Sequence, residues 1–92
     1  MSNCSRTIEI TNKRGLHARA SAKFVNLVAS LPETVEVAVA KEGVSAAGGS
    51  ILGLMMLGAA KGDRIEISVK GDGAETALAA LVELVEDRFG EE

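Results

Sequence analysis

The stretch that decides the fold is RIEISVK, residues 64–70, where every second side chain is apolar. This alternation predicts a strand with one buried face and one face in water. Turn residues flank the strand, KGD at 61–63 and GDG at 71–73. The second turn leads into a predicted final helix, whose apolar face consists of Ala74, Leu78, Leu81, Val85 and Phe89. A half-buried strand followed by an amphipathic helix predicts a sheet whose helices cover one face.

Towards the N-terminus, five more segments show strand or helix patterns. They are a strand at 7–10, a helix at 18–31 that ends at Pro32, a strand at 35–39, a short strand from Val44, and a helix from Ile51 to about Leu57 whose N-cap is Ser50. The predicted order is therefore β-α-β-β-α-β-α. We predict an α+β open-faced β-sandwich, a four-stranded antiparallel sheet with three helices on one face, in which residues 1–92 form a single domain.

The composition argues against several classes of function. The chain has 92 residues and a net charge of -3, and Phe24 and Phe89 are its only aromatic residues. An acidic chain with so few rings is unsuited to the phosphate backbone and stacked bases of nucleic acids. A single cysteine, Cys4, allows neither an internal disulfide nor a cysteine-based zinc site. We therefore expect no nucleic-acid partner, no metal and no cofactor.

The sequence also shows none of the usual signs of export or of small-molecule catalysis. Its first ten residues, MSNCSRTIEI, contain no apolar signal-peptide core, and its longest apolar stretch, 51–60, is too short to span a bilayer. We expect a cytoplasmic protein without a membrane partner. With one histidine and no evident nucleophile–base pair, a free-standing enzyme is disfavoured.

The one histidine, His17, falls where the loop after the first strand becomes the first helix. Unpaired N–H groups and the positive end of the helix dipole would stabilise an anion attached to its ring. Arg19 offers a fork of donors suited to phosphoryl oxygens, and Lys23 adds positive charge nearby. Taken by position alone, a histidine here is more often a simple surface cap.

A longer pattern around His17 favours a function. The segment ITNKRGLHAR, residues 10–19, resembles the phosphorylation loop of the HPr family, the histidine-containing phosphocarriers of the phosphotransferase system. The segment SILGLMML, residues 50–57, resembles that family's serine-led short helix. The family pattern continues Gly-Leu-His-Ala-Arg-Pro-Ala, so Ala20 stands where the family has proline. Because the predicted element order also agrees, the resemblance covers nearly the whole chain.

The resemblance implies a stoichiometric phosphoryl carrier that is not itself an enzyme. By that resemblance, His17 accepts the phosphoryl group through Nδ1 and Arg19 steadies it. The implied donor is enzyme I, and the implied acceptor is a histidine on an EIIA-type protein. We expect a monomer, because such a carrier must expose its site to two partners.

The short helix is the predicted partner surface. Its expected contacts are Ile51, Leu52, Leu54 and Met55, together with Arg19 and Lys23. Ser50 aligns with the family's regulatory serine, which a dedicated kinase phosphorylates in some bacteria, although an ordinary N-cap is an alternative. The acidic residues near the C-terminus are interpreted as the solvated face and tail of the last helix: Glu83, Glu86, Asp87, Glu91 and Glu92.

Three interpretations stay open at this point. The segments 10–13, 54–57 and 60–62 resemble the nitrogen-related branch of the family as much as the sugar-transport branch. We favour a nitrogen-related regulatory relay. A sugar-transport carrier and a protein-interaction module that is never phosphorylated are the alternatives.

Overall fold

The computed structural model describes residues 2–91. Its elements are β1 (Ser2–Glu9), α1 (Ala18–Ala29), β2 (Val35–Lys41), β3 (Val44–Ala47), α2 (Ile51–Met56), β4 (Arg64–Gly71), α3 (Ala74–Glu86) and a final 3₁₀ turn (Arg88–Gly90). The predicted order β-α-β-β-α-β-α is confirmed.

The four strands form one antiparallel sheet in the order β1-β4-β2-β3. The central strand β4 pairs Ile65 with Ile8 of β1 and Ile67 with Val39 of β2. Along β4 the predicted alternation is present. Ile65, Ile67 and Val69 are buried, and the side chains on either side of them are exposed or half-buried. The predicted open-faced sandwich is therefore confirmed.

Helix α3 packs against β1, β4 and β2, while α1 packs against α2 and α3, and α2 also contacts β3. Both phenylalanines are fully buried, Phe24 within α1 and Phe89 after α3. The remaining core consists of aliphatic side chains from the strands and helices. Because this core is closely packed, it fixes the position at which α1 begins.

Two helix ends differ from the prediction. Helix α1 ends at Ala29, where the Ser30 hydroxyl donates to the Leu27 carbonyl at 2.6 Å, rather than at residue 31. Helix α3 ends at Glu86, so Phe89 belongs to the core as predicted but not to the helix. The chain turns away because Phe89 adopts a left-handed backbone, with φ of 55°.

None of the helices in residues 2–91 has the length and apolar character needed to cross a membrane.

Candidate functional site

The loop that carries His17 is fixed against the segment that follows α2. Gly15 has φ of +62°, and a Cβ at this position would lie 2.3 Å from the Ala59 carbonyl oxygen. The next amide, Leu16 N–H, donates to that same oxygen at 2.9 Å. Only glycine fits this combination of left-handed backbone and close approach. The loop therefore delivers His17 to the start of α1 in one defined position.

His17 is the N-cap of α1. Its Nδ1 accepts the N–H of Arg19 at 3.3 Å, and its carbonyl accepts the N–H of Ser21 at 2.9 Å. The N–H groups of Ala18 and Ala20 have no carbonyl partner inside the helix, because the first turn of any α-helix leaves its amides unpaired. Nδ1 thus lies among backbone donors at the positive end of the helix, as the sequence predicted.

The other ring nitrogen meets a residue that the sequence analysis placed elsewhere. His17 Nε2 lies 2.5 Å from Oε2 of Glu91, and the two side chains are 16% and 19% exposed. The interpretation of Glu91 as part of a solvated tail is therefore wrong. The 3₁₀ turn brings it back over the start of α1. Glu92, assigned to the same tail, lies outside the described residues.

A buried amide orients the Glu91 carboxylate. Asn12 is fully buried, and its Nδ2 donates to Oε1 of Glu91 at 3.1 Å and to the Gly15 carbonyl at 2.9 Å. Partial burial opposes ionisation of Glu91, but hydrogen bonds from His17 and Asn12 and the charge of Lys23 outweigh it. The pKa of Glu91 consequently lies below its usual value. The carboxylate is charged at neutral pH.

The two predicted basic residues have different surroundings. Arg19 is exposed, and within residues 2–91 its guanidinium makes no ion pair. Lys23 donates from Nζ to the Phe89 carbonyl at 2.6 Å. Arg19 is thus available to an incoming group, whereas Lys23 holds the turn that carries Glu91.

Helix α2 has one buried side and one exposed side. Leu54 is fully buried, which corrects its prediction as a partner contact: it lies on the opposite side of the helix from the exposed residues and belongs to the core. We call the exposed side the apolar patch; it consists of Ile51, Leu52, Met55 and Met56. Met56, at 75% exposed, was missing from the predicted contacts although its spacing from Leu52 places both on one helix face.

Ser50 begins α2 as predicted. It is the N-cap, and its hydroxyl accepts the N–H of Gly53 at 2.9 Å. The side chain is only half-buried, so it stays within reach of solvent. Across residues 2–91, no group of three or more His, Cys, Asp and Glu side chains is arranged to hold a metal ion.

Comparison with known proteins identifies the family. Residues 4–87 match the family described as PTS HPr component phosphorylation site. The chain belongs to the HPr family. Proteins of this family are phosphocarriers of the phosphotransferase system, so this HPr-family protein is a carrier and not a catalyst.

Relatives from both branches of the family are similar to this chain over most of its length. The phosphocarrier protein HPr of Neisseria meningitidis is 47% identical over 85 residues, which cover 92% of this chain and 93% of the relative. The phosphocarrier protein NPr of Escherichia coli K12 is 40% identical over 86 residues, which cover 94% of each chain. The family resemblance inferred from residues 10–19 and 50–57 is thereby confirmed.

Solved structures of HPr proteins share the fold. HPr-C-His from Thermoanaerobacter tengcongensis aligns with a TM-score of 0.90 at 42% identity, covering 97% of this chain and 98% of that one. The HPr of Bacillus anthracis aligns with a TM-score of 0.85 at 30% identity, covering 92% and 99%. The fold of this HPr-family protein is therefore that of the known phosphocarriers.

Proposed function

We propose that His17 accepts a phosphoryl group on Nδ1 from enzyme I and passes it to a histidine of an EIIA-type protein. The observation that carries this proposal is the position of Nδ1, which accepts the Arg19 amide at 3.3 Å at the start of a 12-residue helix. A phosphoryl group attached there would meet the free amides of the first turn and the positive end of the helix.

Transfer between two histidines depends on placement and on neutralising the phosphoryl charge. The N–H groups of Ala18 and Ala20 and the exposed guanidinium of Arg19 supply that neutralisation. Ala20 contributes because it stands where the family has proline and so retains an N–H that proline would lack. The departure from the family pattern therefore adds a donor to the site.

The proposed docking surface combines Arg19 and Lys23 with Ile51, Leu52 and Met55 of the apolar patch. These side chains lie on α1 and α2, which pack against each other. Exposed apolar side chains beside basic ones suit an acidic partner with an apolar centre, and methionine adapts to more than one partner. We place this exchange in the cytoplasm and expect a monomer, although a dimer is described for one HPr from Thermoanaerobacter tengcongensis.

We also propose Ser50 as a regulatory phosphorylation site for a serine kinase. Its hydroxyl already lies at a helix N-terminus, where a phosphate is accepted by the backbone. The added negative charge would lie next to Ile51 and Leu52 and would weaken docking to an acidic partner. The same residue would then serve as an N-cap and as a switch.

The deciding experiment is incubation of the protein with enzyme I and phosphoenolpyruvate, followed by intact mass at neutral and acidic pH. One acid-labile phosphate is expected on the unchanged protein, none on His17→Ala, and one on the control Ser50→Ala. An interaction module that is never phosphorylated predicts no added mass on any of the three proteins. That result would overturn the proposal.

For the downstream partner we propose a nitrogen-related regulatory relay, with sugar transport as the alternative. The similarity to a protein named NPr supports the relay, and the similarity to proteins named HPr supports the alternative. The phosphorylated protein should be offered separately to EIIA-type proteins of each branch. Faster transfer to the nitrogen-related EIIA is expected, and faster transfer to a sugar-specific EIIA would reverse the assignment.

A further inference from the structure

The two ring nitrogens of His17 have partners of opposite kinds. Nδ1 accepts a backbone N–H from Arg19, whereas Nε2 faces the carboxylate of Glu91 at 2.5 Å. A carboxylate can only accept a hydrogen bond. Glu91 therefore holds the ring proton on Nε2 and leaves Nδ1 unprotonated, so that its lone pair can attack phosphorus once the hydrogen bond from the Arg19 N–H opens.

The carboxylate is itself held in place from within the domain. Oε1 of Glu91 accepts from Nδ2 of Asn12 at 3.1 Å, and Asn12 is fully buried in the loop that precedes His17. One oxygen of Glu91 is thus fixed by the loop and the other by the ring. In an ion pair between flexible, exposed side chains, both carboxylate oxygens would not be held in this way.

The backbone just before Glu91 has an unusual conformation. Arg88 and Phe89 both adopt left-handed φ values, 56° and 55°, which non-glycine residues rarely take. Phe89 anchors the turn in the core, and Lys23 donates from Nζ to its carbonyl at 2.6 Å. Unfavourable backbone conformations are retained where the surrounding structure over-determines them, often at functional sites.

We propose that Glu91 is a positioning residue for phosphoryl transfer, which fixes the tautomer of His17 and neutralises the positive charge that the ring acquires when Nδ1 is phosphorylated. This inference rests on the proposed role of His17 as acceptor. It adds a residue 74 positions away in sequence to the phosphorylation loop. The arrangement has the same logic as the carboxylate that orients the histidine of a serine protease.

In the transfer step, the Nδ1 lone pair of His17 attacks the phosphorus of a phosphohistidine on the donor protein. The new Nδ1–P bond forms as the donor's N–P bond breaks, and that electron pair returns to the donor nitrogen. Nε2 keeps its proton, so the His17 ring becomes cationic. Glu91 offsets this charge at hydrogen-bond distance, and the first-turn amides and Arg19 receive the phosphoryl oxygens.

The first test is the rate at which enzyme I phosphorylates Glu91→Gln, with Glu86→Gln as the matched control. Both variants remove one negative charge from the last part of the chain, but Glu86 is exposed and, among residues 2–91, pairs only with Arg6 at 3.5 Å. We expect kcat for Glu91→Gln to fall about tenfold with KM unchanged, since an oriented partner of a reacting histidine acts on the chemical step. Glu86→Gln should keep both constants.

The second test is the ¹⁵N NMR signature of the His17 ring at about pH 9, where imidazoles are neutral. The unchanged protein should show one protonated nitrogen, Nε2, and one unprotonated nitrogen, Nδ1. A glutamine amide can either donate or accept, so Glu91→Gln should bring the two nitrogen shifts closer together through mixed tautomers. A purely structural role would alter thermal stability without moving these shifts.

Three outcomes would overturn the inference: an unchanged kcat for Glu91→Gln, an increased kcat, or a rise in KM alone. An increased kcat would mean that Glu91 obstructs the site. Failure of the proposed function gives a different result, because the unchanged protein would then accept no phosphate from enzyme I at all.

Discussion

Helices α1 and α2 begin with the same local device and have different surroundings. His17 accepts a backbone N–H through Nδ1 at 3.3 Å, and Ser50 accepts one through its hydroxyl at 2.9 Å. Behind His17 lie a buried amide and a carboxylate, Asn12 and Glu91. Beside Ser50 lies the apolar patch. A helix N-terminus alone is therefore not a complete phosphoryl site. The carboxylate that completes the His17 site comes from a distant part of the chain.

Exchanging the two caps should have the largest effect. We expect His17→Ser to accept no phosphate from enzyme I, because the serine hydroxyl is a far weaker nucleophile than imidazole. We also expect no recovery in the double variant His17→Ser/Ser50→His, since within residues 2–91 the side chain of Ser50 is bonded to the N–H of Gly53 and to no carboxylate. Intact mass measures both. Phosphate on the double variant would show that any helix start suffices and would remove the contrast between the two sites.

The loops next to the two sites should differ in their tolerance of a methyl group. Gly15→Ala combines left-handed strain with a Cβ placed 2.3 Å from the Ala59 carbonyl oxygen. Gly58, just after α2, has a similar φ of +65° but no atom within 4 Å of its added Cβ. We expect Gly15→Ala to lower the free energy of unfolding by about 3 kcal/mol or more and Gly58→Ala by about 1 kcal/mol.

Urea denaturation of both variants measures these free energies. Equal losses would mean that the close approach of Gly15 to Ala59 relaxes at no cost, so that the loop is less firmly fixed than the contact indicates. In that case the position of His17 would depend mainly on its own cap bond to Arg19.

Local pattern was sufficient to predict most of the fold. The alternation at 64–70 matched β4, and Ser50 marked the start of α2 because capping acts on adjacent residues, whereas Pro32 placed the end of α1 two residues too late. His17 could be placed at the start of α1 for the same reason. Each of these features is determined by residues that are close together in sequence, so local sequence patterns are sufficient to predict it.

The contact to Glu91 could not be predicted in this way. It depends on the closing of a chain segment 74 residues long and on a left-handed turn at two non-glycine residues, Arg88 and Phe89. Gly90 is the one local signal for such a reversal, since glycine commonly follows a helix end. Leu54 was misplaced for a related reason: in a uniformly apolar short helix, periodicity does not distinguish the buried side.

A negative charge at the second helix start should affect docking more than folding. Ser50→Asp keeps an N-cap acceptor, so stability should change little, while Ser50→Ala should cost about 1 kcal/mol. For Ser50→Asp we expect the KM for phosphorylation by enzyme I to rise about fivefold at low salt and less at high salt, because the added charge repels an acidic partner. Ser50→Ala should keep the original KM. A salt-independent rise in both variants would indicate lost helix structure instead of repulsion.

The smallest expected effect is that of replacing Asp63, a carboxylate in the segment that follows α2. It is compared with Glu91, the carboxylate at the start of α1. Asp63 accepts the N–H of Ala60 at 2.9 Å and pairs with Lys41 at 3.1 Å. The backbone hydrogen bond, followed by the bond to Lys41, lowers the pKa of Asp63 from its usual 3.8. A lowered pKa in the folded state means that the ionised carboxylate stabilises the protein above pH 3.8 and that this stabilisation is lost as the pH falls through the lower value.

Asp63→Asn should therefore lower Tm slightly at pH 7, and the difference from the unchanged protein should shrink as the pH is taken below 3.8. Thermal unfolding at a series of pH values measures this, with the exposed Asp72, for which no such backbone bond is present within residues 2–91, as the control position for Asp→Asn. A difference in Tm that is the same at every pH would mean that Asp63 acts through its shape and not its charge. Asp63 would then differ from Glu91, whose negative charge we propose to offset the positive charge of the phosphorylated His17 ring.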